Sequence, residues 1–461
     1  MSQTGAFTQF VHGRRRGAEL FLLVLALAVG LGAYAAVGFG VQGHVPLDFV
    51  SYGGWLAVLL IGAHVAVRLV APYADPVLLP VVAALNGLGL AIIHRVDLGA
   101  GQHFAPKQLV WMSVGVGLFV ITLIVLRDHR VLQRFTYTSG LAAIVLLLMP
   151  LLPGIGATIN GARIWIRVGP LSFQPGEVAK VLLVVAFSGY LVLHRDALAL
   201  AGRRVAMVDL PRGRDLGPIL GMWLVSLGIL VFQKDLGSSL LFFGLFLIML
   251  YVATERAGWL LVGGGLFVVG SYLAYALISH VRERFDLWLN IWAHYGDGTD
   301  DKARQTVETM FGMAYGGLLG RGLGQGSPYR IPYAESDFVF GAVGEELGLT
   351  GAIAVILLYG VIVERALRAA LICRDDAGKL MATGLAATFA LQVFVVIGGV
   401  TRLIPLTGLT TPFLSYGGSS LVANWVIVAV LLRISDQARR PPPDLSGPED
   451  LDNEATQVVR L

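Results

Sequence analysis

The sequence predicts an all-α polytopic membrane protein, a transmembrane helix bundle of about 12 spans with one large extracellular loop. Of the 461 residues, 56% are hydrophobic and only 14% are charged, whereas a soluble globular chain carries about 25% charged residues. Runs such as 19–41, 109–126 and 217–232 contain almost no ionisable groups and are long enough to cross a hydrocarbon core of ~30 Å. Because backbone polar groups in lipid must pair within their own segment, each run is predicted to be a helix.

The first apolar run follows the basic cluster Arg14, Arg15 and Arg16, a combination that also fits a signal peptide. No small-residue cleavage site follows, so this run is predicted to be the first span. Polar breaks between apolar runs separate the others. The twelve predicted spans are 19–41, 53–73, 77–94, 108–126, 137–152, 178–194, 216–232, 237–253, 258–280, 338–363, 380–400 and 411–432.

The basic residues predict the orientation of the bundle. With a cytoplasmic N-terminus, the cytoplasmic segments hold well over half of the 34 Lys and Arg residues, which fits the positive-inside bias. Several of the others lie in the long loop 281–336, and long loops escape that bias. Both termini are therefore expected in the cytoplasm. The Pro-rich, acidic segment 435–461 is predicted to be a disordered tail, and no basic stripe with interleaved aromatic residues predicts a nucleic-acid partner.

The loop 281–336 departs most from a simple bundle. It carries Trp288 and Trp292, then an apolar stretch and the glycine-rich run 316–326. Aromatic residues favour the membrane interface, so a short amphipathic or re-entrant element on the outer leaflet is expected. A tight turn built from glycines should follow it. Cys373 is the only cysteine, so neither an intramolecular disulfide nor a cysteine-based metal site is expected.

Ionisable residues at membrane depth are costly and usually face a cavity or a partner. Those on the outer side are therefore candidates for a site at the mouth of one cavity. They are Arg163, Arg167, Glu177, Lys180, Lys234, Asp235, Asp337, Glu345, Glu346 and Arg402.

Each candidate also has an ordinary structural interpretation. Glu177 and Lys180 have the spacing of a local helix pair, and Lys234 with Asp235 fits a solvated turn. Asp337 fits a helix cap, while Glu345 and Glu346 could pair with a buried Arg or Lys. The glycines and serines of 415–420 are typical of close helix packing or a broken helix.

Several motifs occur in a fixed order along the chain, and together they resemble the SEDS family of RodA, FtsW and SpoVE. The resemblance covers roughly residues 77 to 434. The first two spans lie outside the ten-helix core of that family and are similar to the longer RodA-type proteins of actinobacteria. The predicted organisation is therefore 1–76 for the two added helices, 77–434 for the core and 435–461 for the tail. The motifs are 161–166, 173–180, 233–237, 335–340, 344–348, 405–408 and 412–420.

The resemblance implies a peptidoglycan glycosyltransferase that polymerises lipid II on the outer face of the cytoplasmic membrane, beside a class B penicillin-binding protein. The essential acid of the family corresponds to Asp337. The implied substrate-binding residues are Arg163, Trp165, Glu177, Lys180, Lys234, Asp235, Glu346, Arg402, Ser415, Gly417 and Gly418. Two departures from the family pattern occur, at Ile164 where a second arginine is usual and at Arg402 where a small residue is common.

Joining sugars with inversion at C1 requires a base on the acceptor hydroxyl and cations on the departing pyrophosphate. Asp337 is the expected base. Arg163, Lys180, Lys234 and Arg402 are the available cations. A divalent ion such as Mg²⁺, held partly by substrate phosphates, is expected to share this task. No organic cofactor is expected.

Other functions remain open from the sequence. Many spans with buried charges also describe a lipid flippase or secondary transporter, and a structural partner of the penicillin-binding protein is a third possibility. The charges lie on the outer side and are sparse at the midplane, which favours the enzyme. The added N-terminal helices favour a role in elongation and cell shape over an FtsW-type role in division.

Overall fold

The computed structural model describes residues 16–159, 161–168, 171–195, 203–205, 208–210, 213–296 and 301–441, and it is nearly all-α. Its helices are α1 (Arg16–Gln42), α2 (Phe49–Val70), α3 (Leu78–Ala100), α4 (Phe104–Val125), α5 (Thr136–Leu148), α6 (Pro175–Leu193), α7 (Gly213–Phe232), α8 (Leu236–Thr254), α9 (Gly258–Leu277), α10 (Ser279–Leu289), α11 (Ile291–Gly296), α12 (Asp301–Gly316), α13 (Val339–Ile372), α14 (Asp376–Val400) and α15 (Gly418–Arg439). Short 3₁₀ turns cover His129–Phe135, Met149–Leu151 and Pro328–Arg330.

The twelve predicted spans each correspond to one apolar helix. Eleven helical segments among the described residues are long and apolar enough to cross a membrane, and 217–232 forms a shorter apolar helix. The basic residues Arg14 and Arg15 and most of the predicted tail lie outside the described residues. Helix α15 continues to Arg439, five residues into the segment predicted as tail.

The last span begins later than predicted, at Gly418 instead of residue 411. Residues 401–417 form an irregular segment in which Phe413 and Gly408 have positive φ angles of 64° and 74°. Pro412 also lacks an N–H for a helix hydrogen bond. The apolar character that extended the predicted span comes instead from side chains of this segment, such as Leu414, that pack in the core.

A small antiparallel sheet precedes α6 and was not predicted. Its strands β1 (Gly156–Ile159), β2 (Ala162–Val168) and β3 (Leu171–Phe173) pair in the order β1-β2-β3. A second pair, β4 (Arg203–Val205) and β5 (Val208–Leu210), lies between α6 and α7. These strands are much shorter than a membrane-spanning segment, so the pattern of apolar runs does not indicate them.

The centre of the bundle is formed by α3, α14 and α15, which are largely buried, whereas α9 is almost wholly exposed to the surroundings. Helix α1 packs along α3. A Cβ added to Gly30 or Gly87 would lie 2.9 Å from the Cα atom of the other glycine. Small residues permit such close helix packing in membranes, so these two glycines join the added N-terminal helices to the rest of the bundle.

Helix α13 is kinked at Gly348, which has a φ of 67°. The glycine-built turn predicted after the long loop is confirmed, with positive φ angles at Gly317, Gly320, Gly322 and Gly324. This turn pairs with the backbone groups that the kink leaves open. Its N–H groups at 321 and 322 donate to the carbonyls of 345 and 346, and its carbonyls at 317 and 318 accept from the N–H groups of 349 and 350. Four backbone groups next to the kink are therefore paired with the turn.

Helix α13 has 34 residues and is therefore about 50 Å long at 1.5 Å per residue. Asp337 precedes its first residue and Cys373 follows its last. We refer to the side of the bundle at its start as the Asp337 face and to the side at its end as the Cys373 face.

Candidate active site

A cavity of about 460 Å³ opens on the Asp337 face. Several segments line it: the β1–β2 turn, helices α10, α11 and α12, the chain before α13, the end of α14 and the irregular segment 401–417. We call it the Asp337 cavity. Its polar lining residues are Arg284, Trp288, Asp301, Lys302, Gln305, Thr306, Tyr333, Asp337 and Arg402.

The backbone around Asp337 is held by the segment that precedes α15. The Ser415 hydroxyl donates to the Ser336 carbonyl at 2.6 Å, and the Tyr416 N–H donates to the Glu335 carbonyl at 2.7 Å. Ser415 Oγ also accepts from the Thr411 N–H at 2.9 Å. The half-buried Asp337 is thus positioned by contacts that lie almost 80 residues away in sequence. No side-chain hydrogen bond caps α13, so the capping interpretation of Asp337 is not supported.

Burial and, to a smaller extent, the nearby Glu335 carboxylate raise the pKa of Asp337 to about 6, while Arg284 and a hydrogen bond from Ser336 oppose the rise. Burial disfavours the charged form of a carboxyl group, and a neighbouring negative charge acts in the same direction. A carboxylate with a pKa close to the working pH is well suited to accept a proton in a reaction.

Arg284 is the cation that accompanies this carboxylate. Burial lowers its pKa, and Asp235 and Asp337 act in the opposite direction, although a guanidinium stays charged in any case. Its Nη1 donates to the Leu406 carbonyl at 2.5 Å. Arg284 therefore joins α10 to the irregular segment and brings a permanent positive charge to the cavity.

Arg402 also lines the cavity and is fixed by reciprocal hydrogen bonds with Trp288. Its Nε and Nη2 donate to the Trp288 carbonyl at 3.1 and 2.9 Å, and Trp288 Nε1 donates to the Arg402 carbonyl at 3.0 Å. The residue has a φ of 63°, an unusual conformation for a side chain other than glycine. The guanidinium carries further N–H donors besides these two, and Arg402 lines the same cavity as Asp337.

Glu177 and Lys180 form a buried pair on α6 and do not line the Asp337 cavity. Their side chains meet at 2.5 Å, and Lys180 Nζ donates to Gln392 Oε1 at 2.9 Å. The Gln392 amide in turn donates to the Thr410 carbonyl at 2.8 Å. The pair thus supports the irregular segment. The two residues form the local helix pair that their spacing in the sequence allowed.

Asp235 and Lys234 have separate environments. Asp235 is buried and its Oδ1 accepts from the Ser238 N–H at 2.9 Å, which caps α8. Burial raises the pKa of Asp235, opposed first by the Ser238 hydrogen bonds and then by Arg284. Lys234 is exposed, with a φ of 62°. Neither residue lines the cavity.

Arg163 and Trp165 lie on β2. The Arg163 N–H donates to the Gln233 carbonyl at 3.2 Å, and its Nη2 donates to the Leu152 carbonyl at 3.3 Å. Trp165 is half-buried and pairs with Ala157 across the sheet. These contacts attach the sheet to the turn before α8, while Gly161 at its tip reaches the cavity.

Glu346 is fully buried and binds structural partners. Arg95 Nε donates to its Oε1 at 3.1 Å, and the Gly324 N–H donates to its Oε2. The neighbouring Glu345 accepts from the Ser327 N–H at 2.7 Å. Both acids therefore fasten the glycine-built turn to α13, which is the structural interpretation that the sequence left open.

Gly417 and Gly418 allow close packing at the start of α15. The Gly417 N–H donates to Gln108 Oε1 at 3.2 Å, and Gln108 Nε2 donates to the Ser415 carbonyl at 2.9 Å. A β-carbon at Gly418 would overlap the Trp111 ring. With Ser415, these residues position the Asp337 segment instead of lining the cavity.

The outer charges do not all line the Asp337 cavity. Of the predicted site residues, Asp337 and Arg402 line the Asp337 cavity. Sequence reasoning missed the lining residues Arg284 and Lys302, because helices inside the long loop were not resolved into faces. The basic residues of 282–304 were the available signal.

A larger cavity of about 850 Å³ lies between α1, α2, α3 and α4. Its charged lining residues are Asp48 and Asp97, and no Lys or Arg is among the described residues that line it. A site that stabilises a departing pyrophosphate needs cations. The smaller Asp337 cavity is therefore the better candidate.

Fold and cavity together define a multi-pass membrane protein with a carboxylate among fixed cations at one mouth of its helix bundle. A model of the FtsW, RodA and SpoVE family, described as cell cycle protein, matches residues 76–440. The chain belongs to this family, and within it to the RodA type found in actinobacteria.

The relatives agree with that assignment. The chain is 48% identical to the peptidoglycan glycosyltransferase RodA of Mycobacterium tuberculosis over 434 residues, covering 93% of this chain and 92% of that protein. It is 46% identical to the RodA of Mycobacterium leprae, with the same coverage. The probable peptidoglycan glycosyltransferase FtsW of Geobacter metallireducens is 30% identical, covering 80% of this chain and 96% of that protein.

Solved structures show the same fold. A chain from a peptidoglycan synthase complex, described as coordinating polymerization and crosslinking, matches with a TM-score of 0.62 and 29% identity, covering 79% of this chain and 98% of that chain. The rod shape determining protein RodA of Thermus thermophilus matches with a TM-score of 0.55 and 28% identity, covering 80% and 98%.

Proposed function

We propose that this enzyme, a RodA-type peptidoglycan glycosyltransferase, polymerises lipid II into glycan strands in cell elongation and shape maintenance. The observation that carries the proposal is the Asp337 carboxylate, which has a pKa of about 6 and shares its cavity with Arg284, Lys302 and Arg402. The close similarity to mycobacterial proteins of that name supports the same activity.

In this mechanism Asp337 accepts the proton of the acceptor sugar hydroxyl as its oxygen attacks C1 of the donor sugar. The bond from C1 to the pyrophosphate oxygen breaks on the opposite side, so the configuration at C1 inverts. The polyprenyl pyrophosphate leaves with the bonding electron pair. General-base help of this kind typically contributes about 10²- to 10⁴-fold to a rate.

The cations stabilise the departing pyrophosphate. Arg284 and Arg402 are both held by backbone carbonyls, so their charges are already in place before the negative charge develops. Guanidinium groups also bind phosphate oxygens through charge-assisted hydrogen bonds. Lys302 is the more exposed cation of the three and pairs with Glu283 at 2.5 Å.

A divalent ion fits the lining only in part. The carboxylates in the cavity are Asp301 and Asp337, and no group of three possible His, Cys, Asp or Glu ligands converges there among the described residues. Mg²⁺ commonly takes one or two carboxylates plus phosphates and waters. We therefore assign any ion at this site to Asp301 and the substrate's own phosphates, where it would neutralise charge and leave Asp337 to act as the base.

The proposal also sets the orientation of the chain. The Asp337 face is the outer face of the cytoplasmic membrane, and both termini are cytoplasmic, as the distribution of basic residues supports. A class B penicillin-binding protein is the proposed partner, in agreement with the synthase complex among the structural neighbours. The added helices α1 and α2 lie beside α3 and α4 and leave the Asp337 cavity open.

The test is polymerisation of purified lipid II by the purified chain, with and without a co-purified class B partner, followed by separation of the glycan products by length. We expect polymer from the wild type and none from Asp337→Ala. Asp286→Asn is the matched control, because this exposed α10 acid contacts Asn290 and His294 and does not line the cavity. A wild-type protein that moves lipid II between leaflets without polymerising it would show a flippase. Polymerisation that survives Asp337→Ala would show that the base is another residue.

A further inference from the structure

A cluster of three possible metal ligands lies on the Cys373 face, at the opposite end of α13 from the active site. His129 comes from the 3₁₀ turn after α4, Cys373 follows α13 and Asp375 caps α14. Their ligand atoms all lie within 4.8 Å of one another. We propose that this cluster binds a zinc-type transition-metal ion through a thiolate, an imidazole and a carboxylate.

The distances are close to those of a tetrahedral site. Cys373 Sγ lies 3.4 Å from Asp375 Oδ1, and His129 Nε2 lies 3.0 Å from Asp375 Oδ2. Zinc binds nitrogen at about 2.0–2.1 Å and sulfur at about 2.3 Å, which places neighbouring tetrahedral ligands about 3.3–3.6 Å apart. Small rotations of the carboxylate are enough to complete that geometry.

The hydrogen bonds of Gln437 fix the tautomer of His129. Gln437 Nε2 donates to the Arg127 carbonyl at 2.9 Å, so the amide oxygen is the atom that faces His129 Nδ1. An oxygen there requires a hydrogen on Nδ1. The Nε2 of a neutral ring then points a lone pair at two carboxylate oxygens, at 3.0 and 3.1 Å. A positive charge must therefore lie between the ring and the carboxylate. Without a metal ion it is a proton on Nε2, which an incoming metal ion would displace to solvent.

Gly378 lets the three ligand atoms come close together. A β-carbon built on Gly378 would lie 2.5 Å from Cys373 Sγ and 3.1 Å from Asp375 Oδ2, and closer still to His129 Nε2. A side chain at 378 would therefore push the ligand atoms aside, whereas glycine leaves them free to approach one ion.

The surroundings resemble those of protein metal sites. His129 is held through its second ring nitrogen by Gln437, and the Gly378 N–H donates to Asp375 Oδ2 at 2.8 Å. Such outer contacts commonly orient ligands. Arg130 Nε lies 3.4 Å from Asp375 Oδ1, but that side chain is 59% exposed, so it can turn to solvent when an ion enters.

The ligand types select the class of ion. Thiolate and imidazole suit Zn²⁺ and its analogue Co²⁺, whereas Mg²⁺ and Ca²⁺ prefer oxygen. Binding requires the thiolate, so the Cys373 proton is released to solvent, and two anionic ligands then neutralise a divalent ion. Three protein ligands leave one position for water. The sequence predicted no cysteine-based site because it contains a single cysteine, yet histidine and aspartate complete the set here.

A bound ion would join the ends of several helices. It would connect the turn after α4 to the end of α13 and the start of α14, and Gln437 extends the connection to α15. Helix α13 leads from this cluster to Asp337, so the ion would fix the far end of the helix that carries the active-site carboxylate.

The experiment uses the purified full-length chain in detergent, without a histidine tag, stripped with a chelator and titrated with Co²⁺. We expect one Co²⁺ per chain, with the near-ultraviolet charge-transfer absorption of a cobalt–thiolate bond and with displacement by Zn²⁺. Cys373→Ser should remove that absorption. Gly378→Ala keeps all three ligands and should weaken binding at least tenfold, because its β-carbon would displace the ligand atoms.

Asp376→Asn is the matched control, because this neighbouring carboxylate contacts Arg195 at 2.9 Å instead of the cluster. It should bind Co²⁺ as the wild type does, and Zn²⁺ should raise the melting temperature of both but not that of Cys373→Ser. The absence of saturable binding in a folded wild type, or binding of wild-type affinity in Gly378→Ala and Cys373→Ser, would overturn the proposal. The cluster would then be an ion pair between a protonated His129 and Asp375.

Discussion

Asp337 and Glu346 lie within ten residues of one another where α13 begins, and the first is half-buried while the second is fully buried. Glu346 meets Arg95 at 3.1 Å and a backbone N–H of the glycine-built turn. Asp337 faces a cavity that it shares with Arg284, Lys302 and Arg402, and the carbonyl of the residue before it accepts from the Ser415 hydroxyl. The difference shows that burial alone does not identify a functional acid. An acid whose oxygens already bind structural partners, as those of Glu346 do, is not available to a substrate.

The largest expected effect separates these two acids by activity. Asp337→Asn should lower the initial rate of lipid II polymerisation by about 10²- to 10⁴-fold, because it removes the base without changing the size of the side chain. The melting temperature of the variant should stay close to that of the wild type. If Asp337→Asn lost its fold together with its activity, Asp337 would have a structural role like that of Glu346.

The converse change should act on stability. Glu346→Gln leaves Arg95 buried without its charge partner, and breaking a buried pair from one side typically costs about 3–5 kcal/mol. We therefore expect a clearly lower melting temperature and faster proteolysis of the glycine-built turn. Thr350→Ser, on the exposed surface of the same helix, is the control. A Glu346→Gln protein of normal stability but no activity would place Glu346 in the substrate site after all.

A smaller effect is expected where the Asp337 segment is positioned. Ser415→Ala removes one donor to the Ser336 carbonyl and one acceptor for the Thr411 N–H, and a hydrogen bond contributes about 0.5–1.5 kcal/mol. The rate should fall about tenfold, in kcat more than in KM, since the base is displaced while the cations remain. Ser415→Thr keeps the hydroxyl and should recover part of the rate. An unchanged kcat in Ser415→Ala would show that the Ser415 hydrogen bonds do not position Asp337.

The spans could be predicted from the sequence because lipid leaves a hydrophobic segment few alternatives to a helix. The limits of the last span could not, since residues 401–417 are stabilised by distant partners such as Gln108. The helices of the long loop were expected only in outline. Their placement depends on contacts distant in sequence: α12 packs against α13, and α10 is joined to the irregular segment through Arg284 and Trp288.

The site was predictable to the extent that its residues carry their own signal. Asp337 and Arg402 stand out as charges beside spans, and both line the cavity. Lys180 carries the same signal, but it donates a hydrogen bond to Gln392, 212 residues away. That bond gives Lys180 a structural role that the sequence could not indicate. Arg284 gave no signal beyond its charge, since only tertiary folding brings α10 to Asp337.

The smallest effect concerns the charge next to Asp337. The Glu335 carboxylate raises the pKa of Asp337, so Glu335→Gln should lower that pKa and move the acid limb of the rate to lower pH. This substitution changes only the side chain. The Glu335 carbonyl still accepts from the Tyr416 N–H, so the backbone before Asp337 stays in place. Glu308→Gln, which breaks a surface pair with Arg304, should leave the limb where it is.

The most direct test of Asp337 as the base is the pH dependence of lipid II polymerisation by the wild-type chain. The base must be ionised, and burial holds the pKa of Asp337 at about 6, so the rate should be low in acid and rise through about pH 6 to a plateau. The midpoint should lie lower in Glu335→Gln. A rate that is independent of pH across this range, or a midpoint that Glu335→Gln leaves unchanged, would contradict the assignment.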